Sequence, residues 1–219
     1  MTLQKIFNAI EDKISRLHAV KNKPFRIAIN GIEGVGKTTF AENLVNYLQS
    51  REYSAFHVSI DGFHFNKKRR YKQGRDSAKG YYEDSYDEQG FADKVLKMSQ
   101  NEHPQYIPAT HDLETDEYLD IEPIDLTGDS ILITDGAYLF KPTYEPHWDL
   151  KIYLKTSFEE AVLRGAKRDT HLGSEAMAKK MYVDRYHAAS QMYINKVGPE
   201  NLSDIVIDNT DFENPIILD

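Results

Sequence analysis

At 219 residues, 40% of them hydrophobic, the chain is long enough to bury a full core, which suits one α/β domain with an inserted subdomain. A net charge of −8 argues against broad binding to nucleic acid or a membrane surface, so a phosphate ligand must be held by local groups. The lack of cysteine excludes disulfides and thiolate metal sites, no apolar run approaches a membrane span, and Glu11, Asp12 and Lys13 break any leader-like core; the expected location is the cytoplasm.

Leu3, Ile6, Phe7, Ile10, Ile14 and Leu17 recur at helical spacing, so residues 2–18 read as an amphipathic helix that packs on the domain's flank or on a partner chain. A homo-oligomer is therefore compatible with the sequence. Phe25 to Asn30 reads as a strand. The stretch Gly31-Ile32-Glu33-Gly34-Val35-Gly36-Lys37-Thr38-Thr39 that follows fits G-x-x-x-x-G-K-[ST], the phosphate-cradling P-loop. Its glycines let backbone N–H groups face a polyphosphate, Lys37 can reach the β- and γ-phosphates, and the Thr38 hydroxyl can hold Mg²⁺. Phe40, Leu44, Val45 and Leu48 then give the helix whose N-terminus favours an anion. Strand, glycine loop and helix are the context this motif requires; a plain glycine-rich turn is the bland alternative.

A second strand, Ala55 to Ile60, ends at Asp61-Gly62-Phe63. Residues 64–90, dense in tyrosine and charge but weakly periodic, read as a functional surface or a solvated loop. A short helix over 91–100 and a proline-punctuated, hairpin-like excursion over 105–126 come next. Ser130 to Gly136 is a buried-strand pattern ending in Asp135, and Leu150 to Leu154 is another strand. Ser157-Phe158-Glu159-Glu160 is a capping box that starts a helix through Arg168; Ser174 to Lys196 is largely helical and stops at Gly198-Pro199. Asp204 to Asp208 closes the sheet.

Alternating strands and helices predict a three-layer α/β/α fold with a mainly parallel sheet, and ligands in such sheets bind beyond the carboxyl ends of the strands. The P-loop, Asp61 and Asp135 all sit at such ends. Asp135 is the expected Mg²⁺ ligand beside Thr38, and Asp61 the expected base for an attacking hydroxyl. Either acid could instead cap a turn or a helix. Arg164, Lys167 and Arg168 share one helix face, as a lid that neutralises phosphate charge would, or as a solvated basic helix end would.

With these residues in hand, the chain resembles a uridine kinase-like protein of the P-loop kinase superfamily that also holds pantothenate kinase and phosphoribulokinase. The resemblance spans Phe25 to Asp208. Ser59-Ile60-Asp61-Gly62-Phe63-His64 is similar to the family's strand-Asp-x-Phe segment, whose Asp is the catalytic base, and Gly80 to Asp87 to its Ser-(Phe/Tyr)-Asp segment. Tyr106-Ile107-Pro108-Ala109-Thr110-His111 is similar to a hairpin whose Tyr and His grip a pyrimidine, and Arg168-Asp169 matches the lid's Arg-Asp pair. The chain departs from the family at Thr170-His171-Leu172-Gly173, where further arginines are usual, between Tyr106 and His111, where an Asp-Phe pair is missing, and at Asp135, where Glu is usual.

The resemblance implies a single P-loop kinase domain, with a helical lid and long helix over 157–196, that transfers the γ-phosphate of Mg-ATP to a hydroxyl. It implies catalytic Asp61, Lys37 and Arg168. ATP would be held by Gly31, Glu33, Gly34, Val35, Gly36, Lys37, Thr38, Thr39, Arg164 and Arg168, and the acceptor by Asp61, His64, Tyr82, Tyr106 and His111. A nucleoside such as uridine is the expected acceptor, with pantothenate or a sugar as alternatives. A different class, a nucleotide-driven switch, is hinted at only by Asp87-Glu88-Gln89-Gly90; no Asn-Lys-x-Asp is present and no buried strand precedes that stretch.

Overall fold

The backbone organises around two continuous apolar runs. In the computed structural model, which describes residues 2–19, 22–169 and 173–218, β1 (Phe25–Gly31) and β5 (Ile131–Gly136) are buried along their whole lengths. Parallel strands covered on both faces take this composition. Their side chains alternate between two cores. Ile27, Ile29, Ile131 and Ile133 face one of them, while Ala28 and Leu132 face the other.

Six strands form the main sheet in the order β2-β5-β1-β6-β7-β8, with β2 at Ala55–Ser59, β6 at Leu150–Lys155, β7 at Ile205–Asp208 and β8 at Ile216–Leu218. All neighbours are parallel except β7 and β8. Ser59 and Ile29 both stand opposite Asp135, so β2, β1 and β5 end level at one edge. The site is built there.

Helix α1 (Leu3–His18) buries Ile6, Phe7, Ile10 and Ile14, with Phe7 edge-on to Phe40 of α2 (Lys37–Gln49) at 5.3 Å between ring centroids. Of the two packings open to this helix, it takes the flank of its own chain. The opposite face of the sheet carries Phe91, Tyr138, Trp148 and Tyr193. Among the described residues no helix is long and apolar enough to cross a membrane.

Three expectations change. The stretch 64–90 is not a solvated loop: it folds as α3 (Lys67–Arg70), α4 (Ala78–Asp84) and α5 (Glu88–Phe91), and six of its residues line the cleft over the glycine loop. Helices of four to seven residues are too short to show a period, but each is capped, by Asn66 on the Arg69 N–H, Ser77 on the Gly80 N–H and Asp87 on the Gly90 N–H. The sheet is not closed at Asp208, because β8 adds an antiparallel edge that the polar residues before it conceal. The long helices are interrupted by π-helical turns at Ala92–Lys97, followed by a 3₁₀ turn, and at Tyr182–His187, between α7 (Glu175–Met181) and α8 (Ala188–Val197). The excursion is hairpin-like: β3 (Gln105–Tyr106) pairs with β4 (Ile124–Asp125), and between them His111 bridges Tyr118, both antiparallel.

The α3–α4 layer is tied down by Asp84, which receives Lys72 at 2.7 Å and Gln73 at 2.6 Å. Burial alone would raise this carboxyl, but the Lys72 and Gln73 hydrogen bonds outweigh it and hold it below the ordinary range. A depressed carboxylate stabilises the fold above its unfolded pKa and loses that contribution as pH falls through the folded value. Asp84→Asn is therefore expected to cost about 1–2 kcal/mol at pH 7. Thermal melts against pH should show the gap between variant and wild type closing below about pH 4. A gap that does not change with pH would mean packing, not charge, holds this layer.

Candidate active site

The turn from β1 into α2 works because its glycines meet backbone or rings on every side. A Cβ on Gly34 would lie 2.3 Å from the Ala161 carbonyl oxygen, and one on Gly36 would lie 2.6 Å from the Phe212 ring. Both residues have positive φ, +85° and +96°, which a side chain would strain. Asn209 donates to the Val35 carbonyl at 2.8 Å, so the segment after β7 braces the loop. Gly31 and Val35 are both buried, Val35 in the core. Glu33 accepts from the Tyr81 hydroxyl at 3.1 Å and the Ser190 hydroxyl at 2.8 Å, which ties the loop to α4 and α8.

A cleft of about 340 Å³ opens over this loop. Glu33, Gly34, Gly36, Lys37, Thr38, Thr39, Asp61, His64, Asp135 and Arg168 all line it, so residues far apart in sequence meet as the level strand ends require. The Lys37 ammonium donates to the Ile32 carbonyl at 2.9 Å, within reach of whatever the loop cradles. Thr38 donates to Asp135 Oδ2 at 2.7 Å, and His57 Nε2 sits 2.8 Å from the other oxygen. Burial pushes the Asp135 carboxyl upward, yet the His57 and Thr38 hydrogen bonds and the nearby Lys37 charge win, and it is held below its usual range.

The donor set at this point is two oxygens, the Thr38 hydroxyl and the Asp135 carboxylate. Hard oxygen donors suit Mg²⁺, which takes one or two carboxylates and completes its shell with phosphate and water. Among the described residues no cage of three or more His, Asp or Glu forms elsewhere. The residues present fit the ion.

Asp61 follows β2 on a single 3₁₀ turn whose N-cap Ser59 accepts the Asp61 N–H at 3.3 Å. Its side chain is 59% exposed and receives the Tyr86 hydroxyl at 3.1 Å. Burial holds the Tyr86 phenol well above its ordinary value, so it stays a neutral donor that orients the carboxylate. His64 stacks on Tyr86 at 4.3 Å between ring centroids, and burial lowers its pKa. Arg168, the last residue of α6 (Phe158–Arg168), grips Asp169 through Nε at 2.8 Å and Nη2 at 3.1 Å, and Tyr182 bonds both. Residues 170–172 of the expected lid lie outside the described residues.

Six expected residues do not line the cleft: the buried Gly31 and Val35, and the four that follow. Tyr106 is a core residue, edge-on to Phe56 at 6.1 Å, because β3 faces the sheet rather than the opening. His111 is buried behind Asp61, its backbone N–H on the Gly62 carbonyl at 3.1 Å and its Nε2 3.4 Å from Asp116. Tyr82 lies under the Lys141 ammonium at 4.0 Å. Arg164 turns from the lid face to the C-terminal segment, donating to the Asn209 and Thr210 carbonyls and stacking on Phe212. The apparent switch motif is a helix cap, since Asp87 accepts the Gly90 N–H that starts α5.

Arg70, Tyr71, Tyr81 and Ser85, from the stretch expected as a functional surface, and Arg185 and Tyr186, from the expected long helix, also line the cleft without being among the expected site residues. Burial against other elements brings them there, and residue spacing along the chain does not show it.

Sheet order and glycine loop together define a P-loop NTPase fold. No family model matches the chain. It is 26% identical over 202 residues to a protein of Leuconostoc citreum (strain KM20) named uridine kinase, covering 90% of this chain and 92% of that one. Its fold is similar to that of a Bacillus stearothermophilus protein described as a possible uridine kinase, with a TM-score of 0.66 and 19% identity over 90% of this chain and 98% of that one. D-glycerate 3-kinase of Cryptococcus neoformans var. grubii superposes with a TM-score of 0.61 and 9% identity over 99% of both chains. The likeness to uridine kinase-like P-loop proteins thus extends across nearly the whole chain, as the sequence resemblance implies.

Proposed function

We propose that this chain is a small-molecule kinase that transfers the γ-phosphate of Mg-ATP to an acceptor hydroxyl. The observation that carries the reading is the meeting of Lys37, Thr38, Asp135 and Asp61 in one cleft from three separate strand ends. Gly34, Gly36 and the N-terminus of α2 would cradle the phosphates. Thr38 and Asp135 would hold Mg²⁺, which supplies charge neutralisation between the phosphates when bound. Asp61, steered by Tyr86, accepts the proton of the acceptor hydroxyl. The acceptor oxygen then forms a bond to the γ-phosphorus, the bond to the β–γ bridging oxygen breaks, and that electron pair leaves with ADP. Lys37 and Arg168 oppose the charge that spreads over the transferring group.

A nucleoside acceptor is supported by the relative named uridine kinase and by the sequence resemblance. The burial of Tyr106 and His111 speaks against the Tyr-His grip on a base, so a sugar or a hydroxy acid competes with it. ADP release measured with uridine, other nucleosides, sugars, pantothenate and D-glycerate tests the reading. At least one acceptor should raise the rate well above the acceptor-free background. Equal ADP release with and without every acceptor would favour a nucleotide-driven switch.

A further inference from the structure

We infer that the acceptor carries an anionic group, a carboxylate or a phosphate monoester, and that Arg185 holds it with Arg70 alongside. The inference rests on the kinase reading and narrows its substrate class. Arg185 is 5% exposed and lines the cleft from the π-helical turn between α7 and α8. Its guanidinium lies among the rings of Tyr71, Tyr81 and Tyr186, at 5.3, 4.7 and 5.4 Å from their centroids. Among the described residues it forms no ion pair with a carboxylate, and its Nε has no hydrogen-bond partner. Ring faces attract a cation but leave its N–H groups unsatisfied. A guanidinium serving only as packing would be costly here, since a buried charge without a counter-charge is strongly disfavoured and an apolar side chain would fill the space.

Arg70 is the second cation. It is 7% exposed and lines the same cleft, with Nη2 on Asp116 at 3.1 Å and an Nε without a partner. Its charge acts on His64, whose Nδ1 is 2.9 Å from the Asp61 carbonyl oxygen, which puts Arg70 on the side of the candidate base. The donor phosphates already have Lys37, Arg168 and the loop amides. Arg70 and Arg185 come instead from α3 and the π-helical turn, and Tyr71 next to Arg70 joins the two. Planar guanidinium groups match carboxylate and phosphate oxygens bidentately. Uncharged uridine would leave Arg185 without a counter-charge and Arg70 with Asp116 alone.

The test is calorimetric titration of the full chain saturated with a non-hydrolysable Mg-ATP analogue. The probes are D-glycerate and pantothenate, glucose 6-phosphate and uridine 5′-monophosphate, against the neutral counterparts glycerol, pantothenol, glucose and uridine; the two acid sets separate carboxylate from phosphate. At least one acid should bind about tenfold or more tightly than its neutral counterpart. Arg185→Gln should weaken that acid by about tenfold or more, and Arg185→Lys by less, while the affinity for the ATP analogue stays within about twofold. Arg185→Met, which keeps the apolar stem, gives the same readout should the glutamine variant fail to fold. Failure of every acid to bind, equal binding by wild type and Arg185→Gln, or an equal loss of the ATP analogue overturns the inference. Acid binding through Arg185 without acid-stimulated ADP release would uphold the anion site and sink the kinase reading. ADP release with neutral uridine alone would do the reverse.

Discussion

Lys37→Met is expected to reduce kcat by about 10³-fold, while weakening nucleotide binding much less. Phosphoryl transfer leaves the protein little covalent work, so charge placed where negative charge spreads in the transition state lowers the barrier more than it favours the ground state. The ammonium is well placed for this. Its present partner is the Ile32 carbonyl of its own loop, at 2.9 Å, a bond it can exchange for phosphate oxygens without moving the backbone. Losing that bond costs about 1 kcal/mol of stability, so the variant should fold and melt only a few degrees lower. Single-turnover kinetics at saturating ATP separate the two effects. A folded variant with undiminished turnover would remove the phosphate role from this loop.

What could be read in the sequence followed from how each element signals itself. The P-loop is local: its glycines, lysine and threonine are contiguous, and the strand and helix around it carry clean periodicity, so its geometry was legible. Asp61 and Asp135 were legible through topology, since both end strands whose neighbours in the sheet are parallel. The rest of the cleft wall was not. Tyr106 and His111 have a stacking ring and a hydrogen-bonding ring at a suggestive spacing, but spacing does not show which way a two-residue strand faces, and both are buried away from the cleft. Arg164 and Arg168 share a helix face, yet the C-terminal segment captures one and leaves the other at the cleft. That segment, with Asn209 and Phe212 against the loop, acts across more than 170 residues of chain and has no local signature. Arg185 is hidden for the same reason: its burial among three tyrosines is a tertiary fact.

The second large effect is expected at Asp61. A general base contributes about 10²–10⁴-fold, so Asp61→Asn should lower kcat by that order. ATP affinity should stay near wild type, because the carboxylate lies beyond the loop, on the side lined by Tyr86 and His64. Stability should hardly change, since the side chain is 59% exposed and its one hydroxyl donor, Tyr86, can bond an amide oxygen equally well. The rival for the role is Asp135, and its surroundings argue against it. Both of its oxygens are engaged, one by Thr38 and one by His57, and its carboxyl is held below the ordinary range, which makes it a reluctant proton acceptor and a good ligand for a cation. Loss of Mg-ATP binding in Asp61→Asn, with turnover kept at saturation, would exchange the two roles. An Asp135→Asn variant distinguishes the cases from the other side: as a metal ligand, its loss should raise the Mg²⁺ concentration needed for half-maximal activity, and excess Mg²⁺ should restore part of the rate. A missing base would not be rescued by any concentration of the ion.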